Sequence, residues 1–233
     1  GFEDHSLNLL YTFDEMQNLT GVVINIAADA QVTGGEFYIS SDFWHETRQE
    51  IHKKLGDNVY VLAQCASAGD QGTVILVGAK AMQRMQQIMY PVSDTTIPER
   101  LRPRIGYRKQ IAGMITREVT DIYPYMKDYI SWDPVFMHRM EIAELSRRRV
   151  TQQEIADGIK EYEKLKKEFN TKMEEINRNP DIKNKPRWYR EVTTTYSLMK
   201  RGLAAKERHA VEKDKPKLPV EVHVIRLGDI AIA

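Results

Sequence analysis

Cysteine is the scarcest chemistry in this sequence. Cys65 stands alone among 233 residues, so an internal disulfide is excluded. A single cysteine says little about compartment, since many secreted proteins of this size also lack disulfides. No apolar run is long enough to cross a bilayer, and no signal peptide is visible. An excess of charge of one sign is also missing. Lys and Arg number 34 against 33 Asp and Glu, a formal net charge of +1, which argues against nucleic-acid binding through bulk charge. There is no internal repeat and no low-complexity tract. What remains is an ordinary globular composition, 42% hydrophobic and 29% charged, in a chain long enough for one large core or two small ones. Both ends read as cuts, because the first residues run straight into a strand pattern and the last alternate like a strand with no cap. A fragment of a larger catalytic domain is therefore expected.

The periodicity predicts an α/β fold. Leu7 to Phe13 alternates as a strand, and Gly21 to Ala28 is apolar and β-branched enough for a strand covered on both faces. Together they form a hairpin. A loop from Asp29 to Glu36 follows, with Gly34-Gly35 as punctuation. Ser40-Ser41-Asp42 offers N-caps for a helix over Phe43 to Leu55, closed by Gly56. Asn58 to Cys65 is another strand. The strand–helix–strand order makes a βαβ unit with a right-handed crossover. Val74 to Met89 starts extended and turns helical, and Tyr90 to Pro103 is a loop. Tyr107 to Ile122 is an amphipathic helix, and Met140 to Arg149 suits a strand.

Thr151-Gln152-Gln153-Glu154 is a capping box. It opens a helix to about Asn177 with an apolar stripe from Ile155 to Ile176. A polar loop over 179–186 joins it to a second helix from Trp188 to about His209, giving a long αα-hairpin. Val220 to Arg226 and Ile230 to Ala233 form a β-hairpin about Leu227-Gly228-Asp229. The expected organisation is an α/β core of mixed sheet over 1–135, a strand plus helical-hairpin insert over 136–215, and a β-hairpin over 216–233 returning to the core.

Site candidates follow from strand ends. Ligands of open α/β sheets bind beyond the carboxyl ends of the strands. Asp29 lies past the end of one central strand, and the loop containing Asp70, Gln71, Gly72 and Thr73 lies past the next. The glycines of that loop let backbone N–H groups approach a ligand or an oxyanion, although the same string reads as a tight turn. Asp29 suits a metal ligand or a base, or equally a turn aspartate. His45 and His52, seven apart, lack the zincin spacing and read as surface or packing residues, and His5, His138, His209 and His223 form no ligand spacing. Arg147-Arg148-Arg149 and the lysines at 164, 166 and 167 read as solvated charge. Tyr107, Tyr123, Tyr125, Tyr129 and Trp132 suit core packing or an apolar groove.

Four strings, in order, resemble the neutral or alkaline non-lysosomal ceramidases and their bacterial relatives. These are Gly21 to Ala28, Ser40-Ser41-Asp42-Phe43-Trp44, Val61 to Gln71, and Leu218 to Val222 running into Arg226 to Ala233. The resemblance covers about the first 75 residues and the last 16, and the helical hairpin stands out as an insert. It implies a metal-dependent amide hydrolase that splits ceramide or a related N-acyl lipid, with zinc polarising the carbonyl and activating water. It also implies a secreted or periplasmic location and a lipid-like or N-acyl substrate. Asp29 stands where the family carries a metal-binding histidine, and Gly72 where it carries a functional serine, with Thr73 adjacent and Ser67 across the turn. Those two departures leave two rivals: a non-catalytic binding or scaffold relative, and a hydrolase of a different N-acyl or glycan-linked substrate.

Overall fold

The structure is a computed structural model, which describes residues 4–36, 38–69, 71–73 and 77–233. The chain divides into two compact units, Gly1–Trp132 and Asp133–Ala233.

The first unit is built on a three-stranded sheet. Strands β1 (Leu7–Phe13) and β2 (Leu19–Ile26) pair antiparallel, and β3 (Tyr60–Cys65) joins β2 in parallel. The hairpin turn is fixed by Asp14, whose carboxylate accepts from Met16 N and Asn18 N, while Gln17 takes a positive φ of 62°. Helix α1 (Phe43–Leu55) makes the βαβ crossover, as its sequence pattern predicts. Helix α2 (Ala79–Met89) packs on α3 (Arg102–Met126), a longer helix than expected, entered through a 3-10 turn at Glu99–Leu101. The predicted loop to Pro103 is therefore shorter at its end. Pro103 sits in the first turn of α3, where its missing N–H costs nothing.

Strand parity decides which face is covered. Leu9, Tyr11, Val22, Ile24, Val61 and Ala63 share one face and meet Phe43, Ile51, Ile115 and Val119 from α1 and α3. Ile24, Phe43, Ile51 and Val119 are fully buried there. The opposite face carries Leu10, Val23 and Leu62 in one row, and Asn8, Asn25 and Gln64 in the next. Leu62 is 56% exposed. The expectation of a strand covered on both faces is thus corrected: among the described residues helices pack only the Val22/Ile24 side of β2, and Asn25 lies on the other. A buried ion pair ties the helices together, with Arg108 of α3 donating to both oxygens of Glu46 of α1 at 3.1 and 2.6 Å.

The second unit is a β-ribbon leading into a helical hairpin. Strand β4 (Phe136–Ser146) begins four residues earlier than its pattern suggests, because it pairs along its whole length with β5 (Lys217–Leu227). Strand β6 (Ile230–Ile232) adds to β5 through a turn at Gly228 with φ 58°. The final hairpin, expected over 216–233 to return to the core, takes its strand partner from the second unit. Its partner is β4, in a separate sheet of order β4-β5-β6. The physical reason is the continuous eleven-residue ladder, which satisfies backbone groups that a short hairpin would leave open. Between β4 and β5 lie α4 (Gln152–Arg178) and α5 (Tyr189–Asp214), packed on each other as the predicted αα-hairpin. The capping box forms as read: Thr151 Oγ1 accepts from Glu154 N, and the Glu154 carboxylate accepts from Thr151 N. Gly158 and Gly202 let the helices touch backbone to backbone, since a Cβ on Gly202 would lie 2.7 Å from the Gly158 carbonyl.

Candidate functional site

The carboxyl ends of β2 and β3 lie side by side. Ile26 and Cys65 are register partners, and Ala66 N donates to Ile26 O at 2.8 Å. The backbone then splays into the two loops that sequence analysis singled out. The first loop carries Asp29, half-buried, whose Oδ2 accepts from Gln31 Nε2 at 3.3 Å. Facing it is a residue that sequence reasoning used only to judge disulfides. The Cys65 thiol donates toward Asp29 Oδ1 at 3.5 Å, with the carbonyls of Ala66 and Ala28 at 3.3 and 3.7 Å. Desolvation, with the Asp29 carboxylate as hydrogen-bond partner and nearby negative charge, pushes the Cys65 pKa up. The group is therefore a thiol at neutral pH and a poor nucleophile. Its position as the last residue of a strand beside Asp29's strand was the available signal.

The second loop is only partly in view. Asp70, one of its candidate residues, lies outside the described residues. Gln71 N closes a turn onto Ala68 O at 3.2 Å, so the tight-turn reading of this string is met in its geometry. Gly72 is exposed and open, with nothing within 4 Å of where a Cβ would stand. Thr73 Oγ1 is buried and has no hydrogen-bond partner among the described residues. Nothing described brings Gln71, Gly72 or Thr73 into hydrogen-bond contact with Asp29.

A rigid frame holds the Asp29 loop, and sequence analysis saw Asp42 only as a cap. Its buried carboxylate accepts from Val32 N, Thr33 N, Thr33 Oγ1 and Phe43 N, so one side chain both caps α1 and clamps the loop. Its φ of 55° is strained for a residue with a side chain, and these four bonds hold it there. Arg104 adds a second clamp, donating to Val32 O at 2.7 Å, Gly34 O at 2.9 Å and Glu36 Oε1 at 3.2 Å. Arg100 completes the pair on Glu36 at 2.6 and 2.9 Å.

The other sequence candidates scatter. His45 is exposed, and His52 bonds the Val59 carbonyl at 3.0 Å, both as packing or surface residues. Tyr107 and Tyr123 pack against the core, whereas Tyr125, Tyr129 and Trp132 are largely exposed. His138 and His223 meet on the β4–β5 ribbon, Nε2 to Nδ1 at 2.9 Å, a pair the sequence spacing hid because it forms across strands.

A catalytic zinc takes three protein donors and a water. Asp29 and Cys65 supply two, and among the described residues no group of three His, Cys, Asp or Glu is gathered. The pair by itself falls one donor short. No helix among the described residues is long and apolar enough to cross a membrane. No protein-family model, curated protein or solved structure matches this chain.

Proposed function

We propose that this chain carries part of the active site of an amide hydrolase acting on an N-acyl, lipid-like substrate, ceramide being the class its sequence resemblance suggests. The observation that supports the reading is the meeting of Asp29 and Cys65 at the carboxyl ends of two parallel strands. Such strand ends are where open α/β sheets bind ligands. Asp29 is the acid–base group: its carboxylate takes a proton from water as the water oxygen bonds to the amide carbon. The C–N bond then breaks, and the proton passes to the leaving amine. In this reading backbone N–H groups of Gly72 and Thr73 hold the oxyanion, the Gln71 N–H being engaged by Ala68 O. Cys65 positions Asp29 by donating its S–H. Were zinc bound, Asp29 would be its ligand and not the proton acceptor. No step is drawn through it, because the described donors are one short of a site.

The test is fatty-acid release from N-acyl amides by the purified protein, with and without added zinc, beside elemental analysis. Turnover that falls about a hundredfold or more in Asp29→Asn supports the reading. Turnover restricted to N-acylated amino sugars moves the substrate class. A second reading is favoured by Gly72 at the family's serine position: a non-catalytic relative that binds a ligand at the same strand ends. Absence of both turnover and bound metal would select it.

A further inference from the structure

Helices α4 and α5 form an arm whose tip is chemically unlike the rest of the molecule. At 1.5 Å per residue, the 27 residues of α4 carry that tip roughly 40 Å from the β4 end of the hairpin. The connection is a 3-10 turn at Pro180–Asn184 followed by Pro186 and the start of α5. Between Asn179 and Arg190 lie Lys183, Lys185, Arg187 and Arg190 against one acid, Asp181. That is a net +3 in a chain whose total is +1, so the other 221 residues together carry −2. The denser basic run at 100–110 carries +5, but its Arg100 and Arg104 are engaged by Glu36 and its Arg108 by Glu46. Of the acids flanking the tip, Glu174 pairs with Arg178 at 3.2 Å.

Aromatic residues are interleaved with these cations. Trp188 and Tyr189 meet edge to face at 5.9 Å, and Lys183 Nζ sits 5.8 Å from the Trp188 ring centroid. Lysine and arginine beside tryptophan and tyrosine are the side chains that settle at the headgroup level of a bilayer. Basic clusters bind anionic lipid by charge complementarity. A single nucleic-acid strand is held in a channel that tracks its backbone, whereas the tip is a short turn between two helices.

We propose that the α4–α5 tip is a membrane-surface contact that recognises anionic phospholipid headgroups. The arm then holds the protein at a bilayer surface. This inference rests on the arm alone and stands or falls apart from the hydrolase reading, since vesicle binding requires no turnover.

The experiment is co-sedimentation of the purified protein with vesicles of phosphatidylcholine alone and of phosphatidylcholine with 30% phosphatidylserine. Binding is expected only to the anionic vesicles and is expected to weaken strongly in 0.5 M salt, where screening shortens to a few ångströms. Lys183→Gln/Lys185→Gln should weaken it about 25-fold, near fivefold per lysine removed at the surface. The charge-matched control Lys160→Gln/Lys206→Gln, away from the tip, should leave it within about twofold, and circular dichroism should show both variants folded. Equal binding to neutral vesicles, no binding to either, equal loss in the control, or binding to single-stranded nucleic acid in place of vesicles would each overturn the proposal.

Discussion

The two units spend similar sequences in different ways. In the first, α1 and α3 lie on one face of a sheet and bury Ile24, Phe43, Ile51 and Val119 completely. In the second, the helices pack on each other along a narrow seam, of which Leu165, Ile176 and Met199 are the buried apolar residues. The β4–β6 sheet leaves Met140, Ile142, Val222 and Val224 at least 40% exposed. Helix α4 is amphipathic by period, yet its Ile159 is 38% exposed. The lesson is that an apolar stripe marks a surface able to be buried, and only a second layer decides how much of it is.

This contrast can be broken or sharpened by substitution. Phe43→Ala removes a fully buried ring from the layered core and should cost about 3–5 kcal/mol. In a thermal melt followed by circular dichroism, it should lower the transition of the first unit while the helical arm keeps its signal. A single melting event for both would break the division. Glu46→Ala strands the buried Arg108 charge, with an expected loss of about 3 kcal/mol in denaturant titration. Loss below 1 kcal/mol would mean water reaches that guanidinium. Gly202→Ala tests the seam of the arm. Its new Cβ meets backbone and not a yielding side chain, so about 1–3 kcal/mol of arm stability should go. Thr151→Ala removes the capping-box oxygen and should cost about 1 kcal/mol, read in the same arm transition.

The remaining effect is a pH dependence in the first unit. Burial pushes Tyr11 up to about 12 from an ordinary 10.0, its hydroxyl donating to Val119 O at 2.6 Å. The folded state holds this proton after the unfolded chain has lost it, so unfolding releases a proton between those values. The contribution is complete below pH 10 and fades as pH rises to about 12. Tyr11→Phe should flatten that decline in an alkaline stability titration. An unchanged slope would assign the decline to other groups.

Much of the local structure was legible because it depends on neighbours in sequence. The α1 boundaries, with Asp42 before and Gly56 after, came from cap chemistry, and Thr151 with Glu154 announced α4 in the same way. That β2 and β3 run side by side was readable from the βαβ pattern, and the Ile26–Cys65 register agrees. What was not legible depended on pairing across the chain. The Cys65–Asp29 contact spans 36 residues, and the Arg104 clamp on the Asp29 loop spans about 70. The His138–His223 pair exists only because β4 and β5 are in one register, 85 residues apart. The Asn179–Arg190 cluster was in plain sight as composition. It became a surface feature only once two helices were seen to carry it to the end of the hairpin opposite β4.

By itself, then, the sequence determined the elements, their caps and the α/β class, because periodicity, capping and turn chemistry act over a few residues. Tertiary structure alone decided that the last hairpin pairs with β4, which face of β2 the helices pack, and which side chain faces Asp29. Those outcomes are choices among partners of nearly equal hydrophobicity, and strand register and layer contacts settle them over distances that no local pattern encodes.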